Sequence, residues 1–260
     1  MHMVIDVGNT ETVIGIFPGE ELTLSGHWRY ATPVPRTPDE LGLLVRSFLA
    51  ESGSATSDVR RAVLGSVVPR QTELLRRALA SIGLEEILLL EGVAGLPIRL
   101  EVEEPRTVGA DRIANTLASA HLFARDAIVV DFGTATTYDC ITSEGVFEGG
   151  VIAPGLLAGE EWLAGQTAKL PRVGFLPPER VIGRRTETCL QSGLFYSAVD
   201  GVDGIVDRIR REWGRPDAFV VATGGHAAAI ASHSRTVEAV DPYLTLVGLE
   251  LAGRHLAISP

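Results

Sequence analysis

The sequence predicts an α/β protein made of two related halves, each a mixed β-sheet flanked by helices. The first observation is a repeat, because VIDVGNT at residues 4–10 returns nearly unchanged as VVDFGTA at residues 129–135. The second is that another apolar run follows each copy at once, which is typical of a strand, a tight turn and a second strand. The third is that helical and strand periodicities alternate after both copies. Such alternation predicts one mixed α/β unit in each half.

The two repeated turns are suited to binding phosphate. In each, an Asp ends the first strand and a Gly follows two residues later, as Asp6 with Gly8 and Asp131 with Gly133. Glycine lets the backbone approach a bound group without a Cβ in the way, and N–H groups in such turns bind anions. Short side-chain donors follow the glycines: Asn9, Thr10, Thr134, Thr136 and Thr137. Because carboxylate repels phosphate, we expect Asp6 and Asp131 to hold a cation or a water.

An ordinary pair of hairpins is the alternative interpretation, because Asp, Gly, Asn and Thr are common turn residues. The same Asp-x-Gly order in both halves favours the functional interpretation. In that interpretation, two loops hold one polyphosphate from both sides.

Composition narrows the class of protein. With 260 residues, 45% hydrophobic and 22% charged, the chain can bury the core of an ordinary globular enzyme. The formal net charge of −10 disfavours nucleic acid and anionic membranes as partners. Cys140 and Cys189 lie in no CxxC pattern, so neither a disulfide framework nor a zinc site is predicted. The start lacks a signal-peptide pattern and no apolar run reaches a membrane span, so we expect a cytoplasmic protein.

The first half predicts alternating elements after its hairpin. They are a third strand at Leu22–Trp28, a helix from Thr37 to about Gly53, a strand at Arg61–Val68, a helix through Leu74–Leu79 and a strand at Glu86–Leu90. The sequence Thr37-Pro38-Asp39-Glu40 predicts the start of the first helix, because Thr and a Glu three residues later form a capping box. Pro69 ends the strand before it, since proline cannot donate to a sheet.

The second half repeats the scheme. It predicts strands at 127–131, 137–142 and 146–152, helices near 156–168 and 187–212, a strand at 218–222, a short helix, a strand at 236–240 and a last helix at 243–255. We predict a first domain at residues 1–115 and a second at 116–260, with the last helix able to pack back on the first domain.

This duplicated architecture resembles the actin-like ATPase superfamily of acetate and sugar kinases, Hsp70 and actin. The resemblance implies two duplicated actin-like (ribonuclease H-like) domains with ATP bound in an interdomain cleft. Thr223-Gly224-Gly225, directly after an apolar strand, is similar to the adenosine-contacting turn of that superfamily. We therefore expect Gly224 and Gly225 to bind ATP.

A narrower resemblance runs along almost the whole chain. The matching segments are His27–Arg29, Ser66–Pro69, Leu96–Arg99, Val108–Asn115, Val129–Tyr138, Gly149–Gly155, Lys169–Val173, Gln191–Gly193 and Asp241–Pro242. Together they resemble the bacterial type III pantothenate kinases. The resemblance implies transfer of the ATP γ-phosphoryl group to pantothenate, giving 4'-phosphopantothenate in the first step of coenzyme A biosynthesis. It also implies Mg²⁺, K⁺ or NH₄⁺, and a homodimer whose acceptor pocket is completed at the subunit interface.

The family motif assigns a catalytic role to Asp111. An aspartate is ionised at neutral pH and can accept the hydroxyl proton as the new bond forms. The alternative is an acid in the first turn of a helix, stabilised by the helix dipole and Arg112. The resemblance favours the base, and implies that Gly109, Ala110 and Arg112 bind pantothenate.

Other roles also follow from the resemblance. Asp6 matches the residue that organises Mg²⁺ through water, and Asp131 matches the ligand of a monovalent cation. Thr134 matches an ATP contact and Thr186 a pantothenate contact, although a lone Thr before a helix is often its cap.

This chain departs from the family pattern at four positions. Glu11 adds an acid beside the first phosphate loop, the turn that contains Gly8. If the Glu11 side chain points into the cleft it weakens ATP binding, and if it points outward it has no effect. Val102 occupies an acceptor-pocket position where some relatives have Tyr. Glu104 and Arg185 replace residues that are commonly Asn.

Two other functions are open. One is a kinase or phosphatase of the same superfamily with another small acceptor, which the motif at 109–112 argues against. The other is a non-catalytic regulatory relative that binds nucleotide and a partner protein. Retention of Asp6, Asp111 and Asp131 argues against that second function.

Overall fold

Two mixed β-sheets organise the computed structural model, which describes residues 1–19, 21–167 and 169–257. The first sheet contains β1 (His2–Val7), β2 (Glu11–Phe17), β3 (Gly26–Ala31), β4 (Arg61–Ser66) and β5 (Ile87–Leu90). Its order is β3-β2-β1-β4-β5. The pairs β1–β2 and β2–β3 are antiparallel, whereas β1–β4 and β4–β5 are parallel.

The second sheet repeats this plan. It contains β6 (Arg99–Leu100), β7 (Ala127–Phe132), β8 (Ala135–Ile141), β9 (Val146–Pro154), β10 (Phe219–Gly224) and β11 (Ala239–Val240), in the order β11-β10-β7-β8-β9-β6. The β7–β8 hairpin is antiparallel, and β10 runs parallel to both β7 and β11. In each sheet the hairpin's first strand therefore lies between its partner and a later parallel strand. The predicted α/β class and duplicated mixed sheets are confirmed.

Seven helices are described: α1 (Pro38–Glu51), α2 (Pro69–Ser81), α3 (Ala110–Phe123), α4 (Ala158–Gln166), α5 (Thr186–Glu212), α6 (Ala227–Ala231) and α7 (Leu244–Leu256). Helix α1 begins as predicted, because the Thr37 hydroxyl accepts from the Glu40 N–H while the Glu40 carboxylate accepts from the Thr37 N–H. Among the described residues, none of these helices combines the length and apolarity that a membrane crossing needs.

The chain divides into two compact units. The first comprises Met1–Leu122, Glu144–Phe147 and the chain from Leu244, and the second comprises Phe123–Ser143 and Glu148–Tyr243. Helix α7 thus belongs to the unit formed by the first half of the chain. The boundary predicted between residues 115 and 116 stays a prediction.

In the first unit, helices cover both faces of the sheet. Helices α1 and α2 bury Leu41, Leu49 and Leu79 against one face. On the other face α7 lies so close that a Cβ on Gly65 would meet Leu249 at 2.6 Å. Burial on both faces explains why β4 is apolar along nearly its whole length.

The second unit places the long helix α5 against its sheet. Phe195, Val199, Val202 and Val206 of α5 pack with Ile128, Val130, Tyr138, Val220 and Ala222 of the strands. These contacts fix the β7–β8 hairpin, whose turn was predicted to bind phosphate.

Two predicted strands differ clearly in extent from those observed, and one observed strand was not predicted. Strand β3 occupies Gly26–Ala31 instead of 22–28, because it must pair with β2 in the register Ile16–Gly26. Strand β6 was not predicted, since two residues carry no periodicity. Strand β11 has only two residues instead of five, because the Thr236 N–H and hydroxyl donate to Asp203 of α5.

The buried Asp203 is an ionised carboxylate, and it holds the segment around Thr236 against α5. Burial acts to raise its pKa, but hydrogen bonds from Ser234, Arg235 and Thr236 outweigh it and lower the pKa below its ordinary value. A sequence pattern does not reveal such a tie between a helix and a distant loop.

Candidate active site

The first phosphate loop connects β1 to β2 in the first unit. The Gly8 N–H donates to the Glu11 carbonyl at 3.0 Å and closes the turn. Asn9 and Thr10 at its tip are exposed, while Asp6, the last but one residue of β1, is half-buried. The predicted group of Asp6, Gly8, Asn9 and Thr10 is therefore brought together at the end of one hairpin.

Neighbouring segments fix this loop by hydrogen bonds. The Thr32 N–H donates to the Thr10 carbonyl at 3.0 Å, and the Val67 N–H donates to the Val7 carbonyl at 3.1 Å. Beneath the loop, the hydroxyls of Thr12 and Thr32 lie 2.8 Å apart and are buried. A buried, satisfied polar pair of this kind specifies one arrangement of the strands around it.

Glu11 is paired at the protein surface. Its carboxylate lies 3.4 Å from a guanidinium nitrogen of Arg29, and both side chains are about half exposed. The Arg29 charge offsets the acid, so the structure favours the outward alternative for this departure from the family pattern.

Asp111 lies in the first turn of α3, at the same edge of the first sheet as the first phosphate loop. Strands β1 and β4 are parallel, so both end at this edge. Val67, just after β4, hydrogen-bonds Val7 and also contacts Gly109, where an added Cβ would lie 3.2 Å from its Cγ1. Val67 therefore links the loop that contains Gly8 to the segment that precedes Asp111.

The Asp111 carboxylate has a defined orientation. Its Oδ1 accepts a hydrogen bond from the Arg112 N–H at 2.8 Å. A Cβ on Gly109 would overlap the same oxygen. Gly109 is thus required for the observed position of the carboxylate, a role additional to the predicted contact with pantothenate.

The other predicted acceptor residues of the first unit differ in accessibility. Ala110 is 6% exposed, so its side chain belongs to the core. The Arg112 guanidinium lies over the ring of Phe147, 4.9 Å from its centroid. Val102 is half-buried just beyond β6, and Glu104 is exposed before the short 3-10 turn Pro105–Thr107.

The second phosphate loop and the predicted adenosine turn lie side by side in the second unit. Strands β7 and β10 pair in the register Asp131–Thr223 and Phe132–Gly224. Gly224 has φ = +91°, and a Cβ there would lie 2.7 Å from the Phe132 carbonyl oxygen and 3.0 Å from Oδ1 of Asp131. Only glycine suits such a position. Gly133, Thr134 and Gly225 are exposed next to it.

The oxygens around Asp131 fit the predicted monovalent cation. Asp131 and the Phe132 carbonyl present oxygens to the same side of Gly224, and oxygen donors suit K⁺ and similar hard cations. No group of three or more His, Cys, Asp or Glu side chains forms a metal cluster among residues 1–19, 21–167 and 169–257.

A cavity of about 700 Å³ opens in the second unit beside α5. Leu190, Leu194 and Ala198 line it, whereas Phe195 and Val199 of the same helix are in the core. The apolar residues of α5 therefore lie on two faces of the helix, one lining the cavity and the other packed in the core.

The floor of this cavity is partly polar. Thr136 and Tyr138 of β8 reach it, and burial raises the pKa of Tyr138 to about 12. Thr186 stands exposed on its wall as the first residue of α5. The residue before the helix is Arg185, and the Thr188 hydroxyl accepts from the N–H groups of Arg184 and Arg185. Thr186 is therefore not the cap of this helix.

Sequence reasoning missed two residues that support the candidate site. Val67 and Gly155 both belong to segments noted for their resemblance, but an apolar residue and a strand-end glycine carry no chemical signal of their own. Their contacts with Gly109 and with the second phosphate loop become visible only once the chain is folded.

Comparisons with known proteins identify the family of this chain. Residues 2–208 match the family described as type III pantothenate kinase. Curated relatives named type III pantothenate kinase include one from Moorella thermoacetica, 44% identical over 96% of this chain and 98% of the relative. Another, from Geobacter sulfurreducens, is 42% identical over 96% of this chain and 97% of the relative.

Solved structures share the fold at low sequence identity. A Sinorhizobium meliloti protein provisionally described as a 2-dehydro-3-deoxygalactonokinase has a TM-score of 0.63 at 14% identity, covering 100% of this chain and 97% of its own. A Campylobacter jejuni protein provisionally described as a Baf family transcriptional activator has a TM-score of 0.60 at 17% identity, covering 98% and 100%. At these identities the likeness concerns the fold alone.

Proposed function

The chain belongs to the type III pantothenate kinase family and phosphorylates pantothenate with ATP, the first step of coenzyme A biosynthesis, and we propose that Asp111 is its catalytic base. The observation that carries this proposal is the position of Asp111. Its carboxylate is oriented by the Arg112 N–H and lies at the sheet edge that bears the first phosphate loop. Transfer of a phosphoryl group to an alcohol requires a base and a phosphate site close together, as at this edge of the sheet.

In this proposal the primary hydroxyl of pantothenate attacks the γ-phosphorus of ATP. A new O–P bond forms, the bond from the γ-phosphorus to the β–γ bridging oxygen breaks, and ADP leaves. The hydroxyl proton passes to the Asp111 carboxylate as the new bond forms. The transition state is loose, with its charge on phosphate oxygens, so the protein mainly positions the groups and neutralises charge.

The triphosphate is proposed to bind to the N–H groups and short side chains of both phosphate loops. These are Gly8, Asn9 and Thr10 in the first unit, and Gly133 and Thr134 in the second, while Asp6 is proposed to act on the phosphates through Mg²⁺. The adenosine is proposed to contact Gly224 and Gly225. The direct pairing of β7 with β10 supports this assignment, because it sets the adenosine turn beside the second loop.

Two ions complete the proposed site. Asp6 would hold Mg²⁺ through water, and Asp131 would hold K⁺ or NH₄⁺. When bound, such cations offset the negative charge of the phosphates. The half-buried positions of both carboxylates at strand ends support these roles.

The acceptor is proposed to bind to Gly109, Ala110, Arg112 and Val102 of one subunit. Because the Ala110 side chain is buried, its contribution is its backbone. Arg112 can neutralise the pantothenate carboxylate. Thr186 is proposed to contact the same substrate from the other subunit of a homodimer.

Exposed apolar side chains support the homodimer. Ile152, Trp162, Leu176, Val181 and Ile182 of the second unit are between 61% and 82% exposed. Exposed apolar side chains that form one patch are typical of a protein interface. Ala153 and Leu163, the chain neighbours of Ile152 and Trp162, line the cavity beside α5, whose wall includes Thr186.

The proposed division lies between residues 1–115 and 116–260, with α7 joined to the first part. We further propose a cytoplasmic enzyme without nucleic-acid or membrane partners. The net charge of −10 supports the lack of such partners.

A mixing experiment tests the shared acceptor site. Asp111→Asn and Thr186→Ala proteins are each expected to be weakly active, but re-dimerised together at equal amounts they should recover about a quarter of wild-type ADP release. Half of the dimers then contain one subunit of each variant. One of the two sites in each of these mixed dimers has both Asp111 and Thr186, so a quarter of all sites are intact. No recovery, with mixed dimers detected by mass spectrometry, would place Thr186 and Asp111 in the site of the same subunit.

A further inference from the structure

Gly155 directly follows β9, the strand next to β8 in the second sheet. It is buried, and its carbonyl accepts a hydrogen bond from the Ala158 N–H at 3.0 Å where α4 begins. No step of the proposed reaction involves Gly155 itself.

The second phosphate loop rests directly on this glycine. A Cβ on Gly155 would overlap the carbonyl oxygen of Thr134, and would lie 2.8 Å from its carbonyl carbon and 3.1 Å from the carbonyl oxygen of Gly133. All three atoms are backbone, so no side-chain rotation can relieve the overlap. Any side chain at position 155 must displace the turn or the end of β9.

The glycine inside the loop is less restricted. A Cβ on Gly133 would find its nearest neighbour, the Ala135 carbonyl oxygen, at 3.5 Å, which is ordinary van der Waals contact. The position of the turn therefore depends more strongly on Gly155 than on the glycine that the repeated motif contains.

We propose that Gly155 is a positioning residue for the second phosphate loop. By lacking a Cβ it sets the depth at which the Gly133 and Thr134 peptides meet the triphosphate. The inference rests on the proposed role of Gly133 and Thr134 in binding ATP. A displacement of the order of 1 Å is enough to disturb such a site severely.

Gly155→Ala tests the proposal through steady-state kinetics. We expect KM for ATP to rise about tenfold or more, while KM for pantothenate changes by less than about threefold. The matched control is Gly165→Ala in α4, where an added Cβ meets no atom within 4 Å. It should leave both constants near wild type. A fall in kcat alone, with KM for ATP unchanged, would mean that Gly155 is merely structural and would overturn the proposal.

Calorimetric binding of ADP and of adenosine gives a second readout. Because only ADP carries phosphates, Gly155→Ala should weaken ADP about tenfold and adenosine less than about threefold. Equal weakening of both would contradict a role specific to the phosphate loop.

If Gly155→Ala does not fold, Pro154→Gly provides the test, because it adds no volume and frees the backbone before Gly155. We expect faster hydrogen exchange in the segment 133–135 and KM for ATP raised about twofold or more. Unchanged exchange and KM would overturn the proposal.

Thr134→Ala separates this inference from the proposed function. If Thr134→Ala leaves KM for ATP unaltered, the assigned role of the loop fails. If Thr134→Ala raises KM but Gly155→Ala does not, only the role of Gly155 fails.

Discussion

The two phosphate loops share a sequence motif but are supported differently. The first encloses four residues between the paired Val7 and Thr12, whereas the second encloses three between Phe132 and Thr136. Hydrogen bonds from Thr32 and Val67 fix the first loop and its strand. The second lies against two glycines at close contact, Gly155 and Gly224. Equivalent sequence therefore does not mean equivalent tolerance to substitution.

Among changes to the two loops and their supports, the largest effect is expected from Gly224→Ala beside the second loop. A residue with a Cβ is strained at φ = +91° and would also press on the Phe132 carbonyl. We expect KM for ATP to rise about tenfold or more and the free energy of unfolding to fall by about 2 kcal/mol. The measurements are steady-state kinetics and urea denaturation.

Gly214→Ala is the matched control for that change. Gly214 has φ = +68° in the same unit, but an added Cβ meets no atom within 4 Å. It should share the backbone strain and keep the wild-type KM for ATP. If Gly214→Ala raises KM as much as Gly224→Ala does, contact with the second loop is not the cause.

A smaller difference is expected between the glycines inside the loops. A Cβ on Gly8 would lie 3.0 Å from the Glu11 carbonyl oxygen, against 3.5 Å from that of Ala135 for Gly133. Gly8→Ala should therefore lower the free energy of unfolding by about 1 kcal/mol more than Gly133→Ala. A rise in KM for ATP with Gly133→Ala would then show that the added Cβ hinders the approach of the phosphates to the loop. The reverse order of stabilities, measured by urea denaturation, would refute the comparison.

Thr12→Val should affect stability more than catalysis. It leaves the buried Thr32 hydroxyl without its partner, at a cost of about 1–3 kcal/mol. The double variant with Thr32→Val removes both hydroxyls and should recover part of that loss. If the double variant is less stable than the sum of the single changes predicts, the pair does not act as a hydrogen-bonded unit.

The smallest effect is expected from Glu11→Gln in the first loop. An exposed ion pair such as Glu11–Arg29 contributes about 0–1 kcal/mol. KM for ATP should change by less than about threefold, as determined by ADP release at two salt concentrations. A tenfold fall in KM would mean that the carboxylate faces the phosphates.

Much of the fold could be predicted because it depends on local patterns. The repeat at Asp6 and Asp131 revealed the duplication, and the capping box at Thr37 located the start of α1. The family and its reaction were predicted from motifs such as that at 109–112, and the match over residues 2–208 confirms both.

The remaining features depend on contacts between distant segments. The shortened β11 follows from the bond between Thr236 and Asp203, 33 residues apart. The orientation of Asp111 depends on the lack of a Cβ at Gly109, and the second loop rests on Gly155. Spacing along a chain does not encode such close approaches, so the sequence predicted the chemical groups of the candidate site but not their supports.

The central proposal, that Asp111 is the base at the edge bearing the first phosphate loop, is tested most directly by one comparison. ADP release by wild-type protein and by Asp111→Asn would be measured with pantothenate, Mg²⁺ and K⁺ present, and circular dichroism would verify folding. We predict that kcat falls by about 10²–10⁴-fold in Asp111→Asn while KM for ATP changes little. Near-normal turnover in the folded variant would contradict the assignment of Asp111 as the base.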